Sequence, residues 1–83
     1  MSDMEIGVGI DVARYEHVVQ FWSPAKEPIR HELAVPESRE GYDALQQAMQ
    51  ELDRIHHRPV FRINMDMANV YGQNLQAFLQ QQS

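Results

Sequence analysis

The chain has 83 residues, no cysteine, and seven Lys+Arg against twelve Asp+Glu, for a formal net charge of -5. This length allows one domain, the lack of cysteine excludes disulfides and cysteine-based zinc sites, and the acidic balance is the opposite of a nucleic-acid-binding module that supplies its own phosphate contacts. No apolar run approaches the roughly 20 residues of a membrane span, and the acidic start Met1-Ser2-Asp3-Met4-Glu5 is unlike a signal peptide, so we expect a soluble cytoplasmic chain with no membrane partner.

Met4, Ile6, Val8 and Ile10 alternate with Glu5, Gly7, Gly9 and Asp11, which is the two-residue period of a strand. Two glycines on one face weaken that strand and mark a surface that another backbone or a ligand approaches closely. Tyr15 to Trp22 is rich in β-branched and aromatic residues and reads as a second strand. The short separation Val12–Arg14 predicts a hairpin between the two. Pro24 and Pro28 punctuate the next turn, and Ile29 to Val35 alternates again as a third strand. The three strands together form an antiparallel meander.

Pro36-Glu37-Ser38 ends the third strand, with Ser38 as candidate N-cap and Glu40 in the first turn facing the positive end of the helix dipole. The helix runs to about Arg54, with Tyr42, Leu45, Met49 and Leu52 on one stripe and Ala48 beside them. Val60 to Met65 is a fourth strand. A strand–helix–strand order requires a crossover, which sets this strand parallel to the first. Val70 to Gln82 is the last helix, with Leu75, Phe78 and Leu79 as its apolar residues. The expected fold is α/β, order β-β-β-α-β-α, with three antiparallel strands plus one parallel strand. The ribonuclease H-like fold begins this way, so residues 1–83 are expected to form part of one.

Asp11 ends the first strand and Asp66 follows the fourth. If those strands are parallel neighbours, both carboxylates lie at the carboxyl edge of the sheet, where ligands of such sheets tend to bind. Two close carboxylates repel, and a divalent cation offsets the repulsion. Magnesium or manganese suits all-oxygen ligation, and two such ions about 3.5–4 Å apart serve phosphodiester chemistry. The competing structural reading is that each Asp is a turn former or helix N-cap.

Three blocks carry a resemblance. Gly7-Val8-Gly9-Ile10-Asp11-Val12-Ala13, followed by Glu16-His17-Val18-Val19, opens the first two strands. Val35-Pro36-Glu37-Ser38-Arg39-Glu40-Gly41-Tyr42 enters the first helix. Met65-Asp66-Met67-Ala68-Asn69-Val70-Tyr71 continues through Gln73-Asn74-Leu75 to Phe78-Leu79. In order and spacing these blocks resemble the DEDD-type insertion-sequence transposases, the group that includes the Piv-type DNA invertases.

The resemblance implies a catalytic core like that of RuvC-type Holliday-junction resolvases, in which four acidic residues bind divalent metal, magnesium or manganese. Asp11 matches the first acid and Asp66 the second, so both are expected to be catalytic metal ligands. The remaining two are expected beyond residue 83, so the chain reads as the N-terminal half of a catalytic domain that acts on DNA but does not cleave it alone. Three positions depart from the pattern: Asn69 stands in place of Gly, Met67 in place of a small residue, and Asp66 in place of the commoner Glu. A drifting, nonfunctional copy shows such changes.

Other residues have structural readings beside the chemical ones. Adjacent His56 and His57 point to different sides of a chain and read as a solvated loop. His17 reads as a half-buried strand histidine, Tyr71 as packing against the sheet, and Met49, Met65 and Met67 as core fillers. Arg54, Arg58 and Arg62 read as solvated surface in a net acidic chain. Ser23 and Ser38 have no base at a readable spacing.

Two alternatives stand beside the transposase reading. One is a noncatalytic interaction module, because half of such a fold leaves a sheet edge and apolar faces that pair with another chain; it predicts a homodimer or higher oligomer. The other is an unrelated small α/β binding domain in which both acids are plain caps.

Overall fold

The computed structural model describes residues 4–65 and 73–81. The elements are β1 (Glu5–Asp11), β2 (Glu16–Trp22), β3 (Leu33–Pro36), α1 (Arg39–Ile55), β4 (Val60–Met65) and α2 (Gln73–Gln81). The strands form one mixed sheet in the order β3-β2-β1-β4. β1 pairs antiparallel with β2 and parallel with β4, and β2 pairs antiparallel with β3. The α/β class, the element order and the parallel fourth strand are as the sequence predicts.

Alternation decides which face is buried. Ile6, Val8 and Ile10 of β1, with Val19 and Phe21 of β2 and Val35 of β3, share one core with Leu45, Ala48 and Leu52 of α1 and Leu75 and Leu79 of α2. Both helices therefore cover the same side of the sheet. The other side carries Gly7, Gly9 and Asp11 beside Trp22, Gln20 and Val18, with Arg62 and Asn64 on β4. Asp11, Gln20, Arg62 and Asn64 are exposed there.

The approach that the two glycines of β1 allow is made by a neighbouring side chain. A Cβ built at Gly7 would stand 3.7 Å from the Trp22 Cβ, and one at Gly9 would stand 3.8 Å from the indole nitrogen. The indole of Trp22 thus spans the space over both glycines.

α1 begins where the sequence places it. Ser38 is extended (φ -159, ψ 165) and its hydroxyl accepts from the Gly41 N–H at 3.1 Å, satisfying one orphan donor of the first turn. Gly41 is buried against the preceding strand: a Cβ there would lie 2.1 Å from the Pro36 carbonyl oxygen. The helix closes at His56, whose N–H donates to the Leu52 carbonyl at 2.9 Å. His57 and Arg58 follow with left-handed φ of 58 and 59.

β3 departs from expectation. It spans Leu33–Pro36 rather than Ile29–Val35. Trp22 bridges Pro28 and Val19 pairs with Leu33, so three steps along β2 face five steps of the other chain. The two extra residues leave the ladder between these points, although the Ile29 N–H still donates to the Phe21 carbonyl at 3.1 Å. β2 also starts one residue later than the sequence suggests, because Tyr15 belongs to the turn, where it is 72% exposed. α2 is described from Gln73 to Gln81, within the predicted 70–82.

Candidate functional site

Asp11 is the last residue of β1, and its carboxylate is exposed on the helix-free side of the sheet. It borders an open trough with Gly9, Gln20, Glu32, Asn64 and Met65. Gln20 spans part of this trough, donating from Nε2 to Glu32 Oε2 at 3.2 Å. No hydrogen bond or ion pair engages the Asp11 carboxylate among the described residues.

Asp66, Met67, Asn69 and Tyr71, which the sequence singles out, lie outside the described residues. The residues preceding the two acids are described. Ile10, just before Asp11, pairs in parallel register with Met65, just before Asp66. An aspartate carboxylate offers hard oxygen donors, the chemistry that magnesium and manganese prefer. Among the described residues no three His, Asp or Glu side chains gather to hold a metal ion.

Behind the site, on the covered side, lies a polar cluster that sequence reasoning missed. His17 is fully buried rather than half-buried, because its position on β2 faces the helices beside Val19 and Phe21. Its Nδ1 accepts from the Ala13 N–H at 3.2 Å, which leaves the ring proton on Nε2. That Nε2 donates to Glu37 Oε1 at 2.8 Å. The same oxygen accepts from the Tyr42 hydroxyl at 2.6 Å, and Oε2 accepts from Asn74 Nδ2 at 3.1 Å. The Glu37 backbone N–H donates to the Tyr15 carbonyl at 2.8 Å. One carboxylate thereby joins β2, α1 and α2, and the Tyr42 ring continues the contact by meeting Phe78 of α2 at 5.2 Å between centroids.

These bonds shift the acidities. Burial pushes the Glu37 carboxyl up, but hydrogen bonds from His17, Tyr42 and Asn74 outweigh burial and hold it below its usual value. The Tyr42 phenol is raised, first by burial and then by its bond to Glu37 and that group's negative charge. The only sequence signal for this cluster was the presence of His17, Glu37, Tyr42 and Asn74 in the quoted motifs.

The remaining candidates are dispersed. His56 caps α1 and His57 is exposed. Arg54 is in the last turn of α1, the Arg58 N–H donates to the Asp53 carbonyl at 2.8 Å, and the Arg62 guanidinium pairs with Glu5 at 2.9 Å. The Ser38 hydroxyl is occupied in capping and that of Ser23 accepts from the Glu27 N–H at 3.2 Å. No described helix is long and apolar enough to cross a membrane.

The mixed sheet thus carries both helices on one side and an exposed acid at the carboxyl end of its first strand. Residues 8–83 match the transposase family of the DEDD IS110 type. The chain belongs to that family of transposases. Among curated proteins and among solved structures no match to the chain was found.

Proposed function

We propose that residues 1–83 are the N-terminal half of a ribonuclease H-like catalytic domain that serves metal-dependent DNA strand cleavage and joining, with Asp11 and Asp66 as metal ligands. The observation that carries this reading is the parallel pairing of Ile10 with Met65, which sets the residues before both acids side by side. When bound, magnesium or manganese supplies activation of the attacking water or 3′-hydroxyl and stabilises the leaving oxygen. Asp11 contributes a solvent-facing carboxylate at the end of a strand whose partners on both sides hold its backbone. Gly9, Gln20 and Asn64 line the adjoining trough.

Only two of the four acids implied by the family pattern fall in residues 1–83, so strand cleavage requires the other two from elsewhere in the working protein. With a net charge of -5, most phosphate contacts to DNA must also come from elsewhere. Reaction on DNA is consistent with a cytoplasmic location.

A manganese titration followed by amide NMR on the wild type and Asp11→Asn tests the metal reading. Expected is paramagnetic broadening confined to the carboxyl ends of β1 and β4 and lost in the variant. Broadening scattered over surface acids, or none, overturns it.

A second reading, a noncatalytic oligomerising module, is favoured by β4. It is the end strand of the sheet, nothing pairs with its outer edge among the described residues, and Val60 and Ile63 are 51% and 38% exposed. Such edges pair with other chains. Light scattering after gel filtration is expected to show a homodimer or larger species; a 9.7 kDa monomer at every concentration removes this reading.

A further inference from the structure

His17 is the one polar or charged residue fully buried among the described residues, and it stands where Val19 and Phe21, two and four positions along, are simply apolar. An apolar residue would fill that place without needing hydrogen-bond partners. The imidazole instead has both ring nitrogens engaged, one by the Ala13 N–H and one by Glu37. Ala13 is two residues past Asp11. Glu37 holds the same turn a second time through its own N–H to the Tyr15 carbonyl. Its second oxygen accepts from Asn74 in α2, the first described element after Asp66.

We propose that His17 and Glu37 are positioning residues: Glu37, acting through the imidazole, fixes the turn that follows Asp11 and so sets where the Asp11 carboxylate is presented at the sheet edge. Its consequence for a bound cation rests on the metal-ligand reading of Asp11. A ligand is held to useful geometry by the groups behind it, and loosening such groups weakens metal binding. The ring does this with a fixed geometry, because Nδ1 and Nε2 point in opposite directions and tie the turn on one side to a carboxylate anchored in two helices on the other.

The test uses the 83-residue chain with His17→Gln, His17→Asn and Glu37→Gln. The Gln side chain keeps a donor toward Glu37 but has no acceptor at the Nδ1 position; the Asn side chain keeps that acceptor. Amide hydrogen exchange at Ala13, relative to Val8 and Phe21, is read beside the manganese concentration that half-broadens the Asp11 region. In His17→Gln, Ala13 exchange is expected to rise about tenfold relative to the core amides, and the manganese midpoint about tenfold. His17→Asn, which keeps the acceptor for Ala13 but not the reach to Glu37, is expected to fall between His17→Gln and wild type on both readouts. A merely structural histidine would lower thermal stability in both variants and leave the two variants alike at Ala13.

Equal behaviour of the Asn and Gln variants, or unchanged Ala13 exchange in a folded His17→Gln, overturns the proposal. If His17→Gln does not fold, Glu37→Gln decides: its carboxamide retains an acceptor for the ring but loses the charge, and faster Ala13 exchange supports the inference while unchanged exchange ends it. If the wild type shows no broadening around Asp11, the metal reading fails by itself, and Ala13 exchange still decides whether these residues position the turn.

Discussion

His17 Nε2 and Glu37 Oε1 lie 2.8 Å apart, with the imidazole fully buried and the carboxylate side chain 24% exposed. The bond joins residues 20 positions apart and closes the turn after β1 onto the start of α1. Everything else that Glu37 accepts comes from helices, from Tyr42 in α1 and Asn74 in α2. Loss of this carboxylate's charge is therefore felt in three elements together.

The acid side of the stability profile follows from that. The folded Glu37 carboxyl is held below the ordinary 4.5, so the folded protein binds fewer protons there than the unfolded chain. Its contribution is present above the unfolded value and lost as pH falls through the folded one. Urea midpoints of the wild type are expected to fall more steeply than those of Glu37→Gln between about pH 5 and pH 3. Parallel curves would show that Glu37 contributes no such linkage.

On the alkaline side the sign reverses. The Tyr42 phenol is raised above the ordinary 10.0, so its contribution is present below that value and lost as pH rises beyond it. Ultraviolet titration of the phenols should show a component that ionises above the ordinary tyrosine value, absent from Tyr42→Phe. The same variant is expected to cost about 1 kcal/mol at neutral pH.

Gly41 is the position least able to accept a methyl group. The added carbon would fall 2.1 Å from a backbone oxygen of Pro36, and backbone cannot swing aside as a side-chain end can. Gly41→Ala is expected to destabilise by about 3 kcal/mol despite alanine's better helix propensity. Thermal unfolding of the purified variant checks this; a midpoint equal to wild type would mean that the β3–α1 junction yields.

Gly9 should behave in the opposite way. The methyl group would meet the Trp22 indole nitrogen at 3.8 Å, an ordinary contact, on a strand that glycine weakens. Gly9→Ala is expected to be neutral or stabilising by about 0.5 kcal/mol, with Trp22 fluorescence little changed. Marked destabilisation would mean that the indole is held more closely than it lies here.

Local patterns determined most of the architecture. Alternation from Met4 to Asp11 chose the buried face of β1, Ser38 marked the start of α1, and the crossover rule set β4 parallel to β1 because each depends on neighbours in sequence. The motifs around Asp11, Gly41 and Asp66 were sufficient for the family. Tertiary structure alone decided the rest. The two extra residues between Pro28 and Leu33 show only when β2 lies opposite and fixes a ladder to depart from. The clash that demands glycine at 41 needs the Pro36 carbonyl folded back upon the helix. Glu37, to the sequence a residue in a turn, becomes the acceptor for side chains 20, 5 and 37 positions away, because hydrogen bonding selects partners by distance in space and not along the chain.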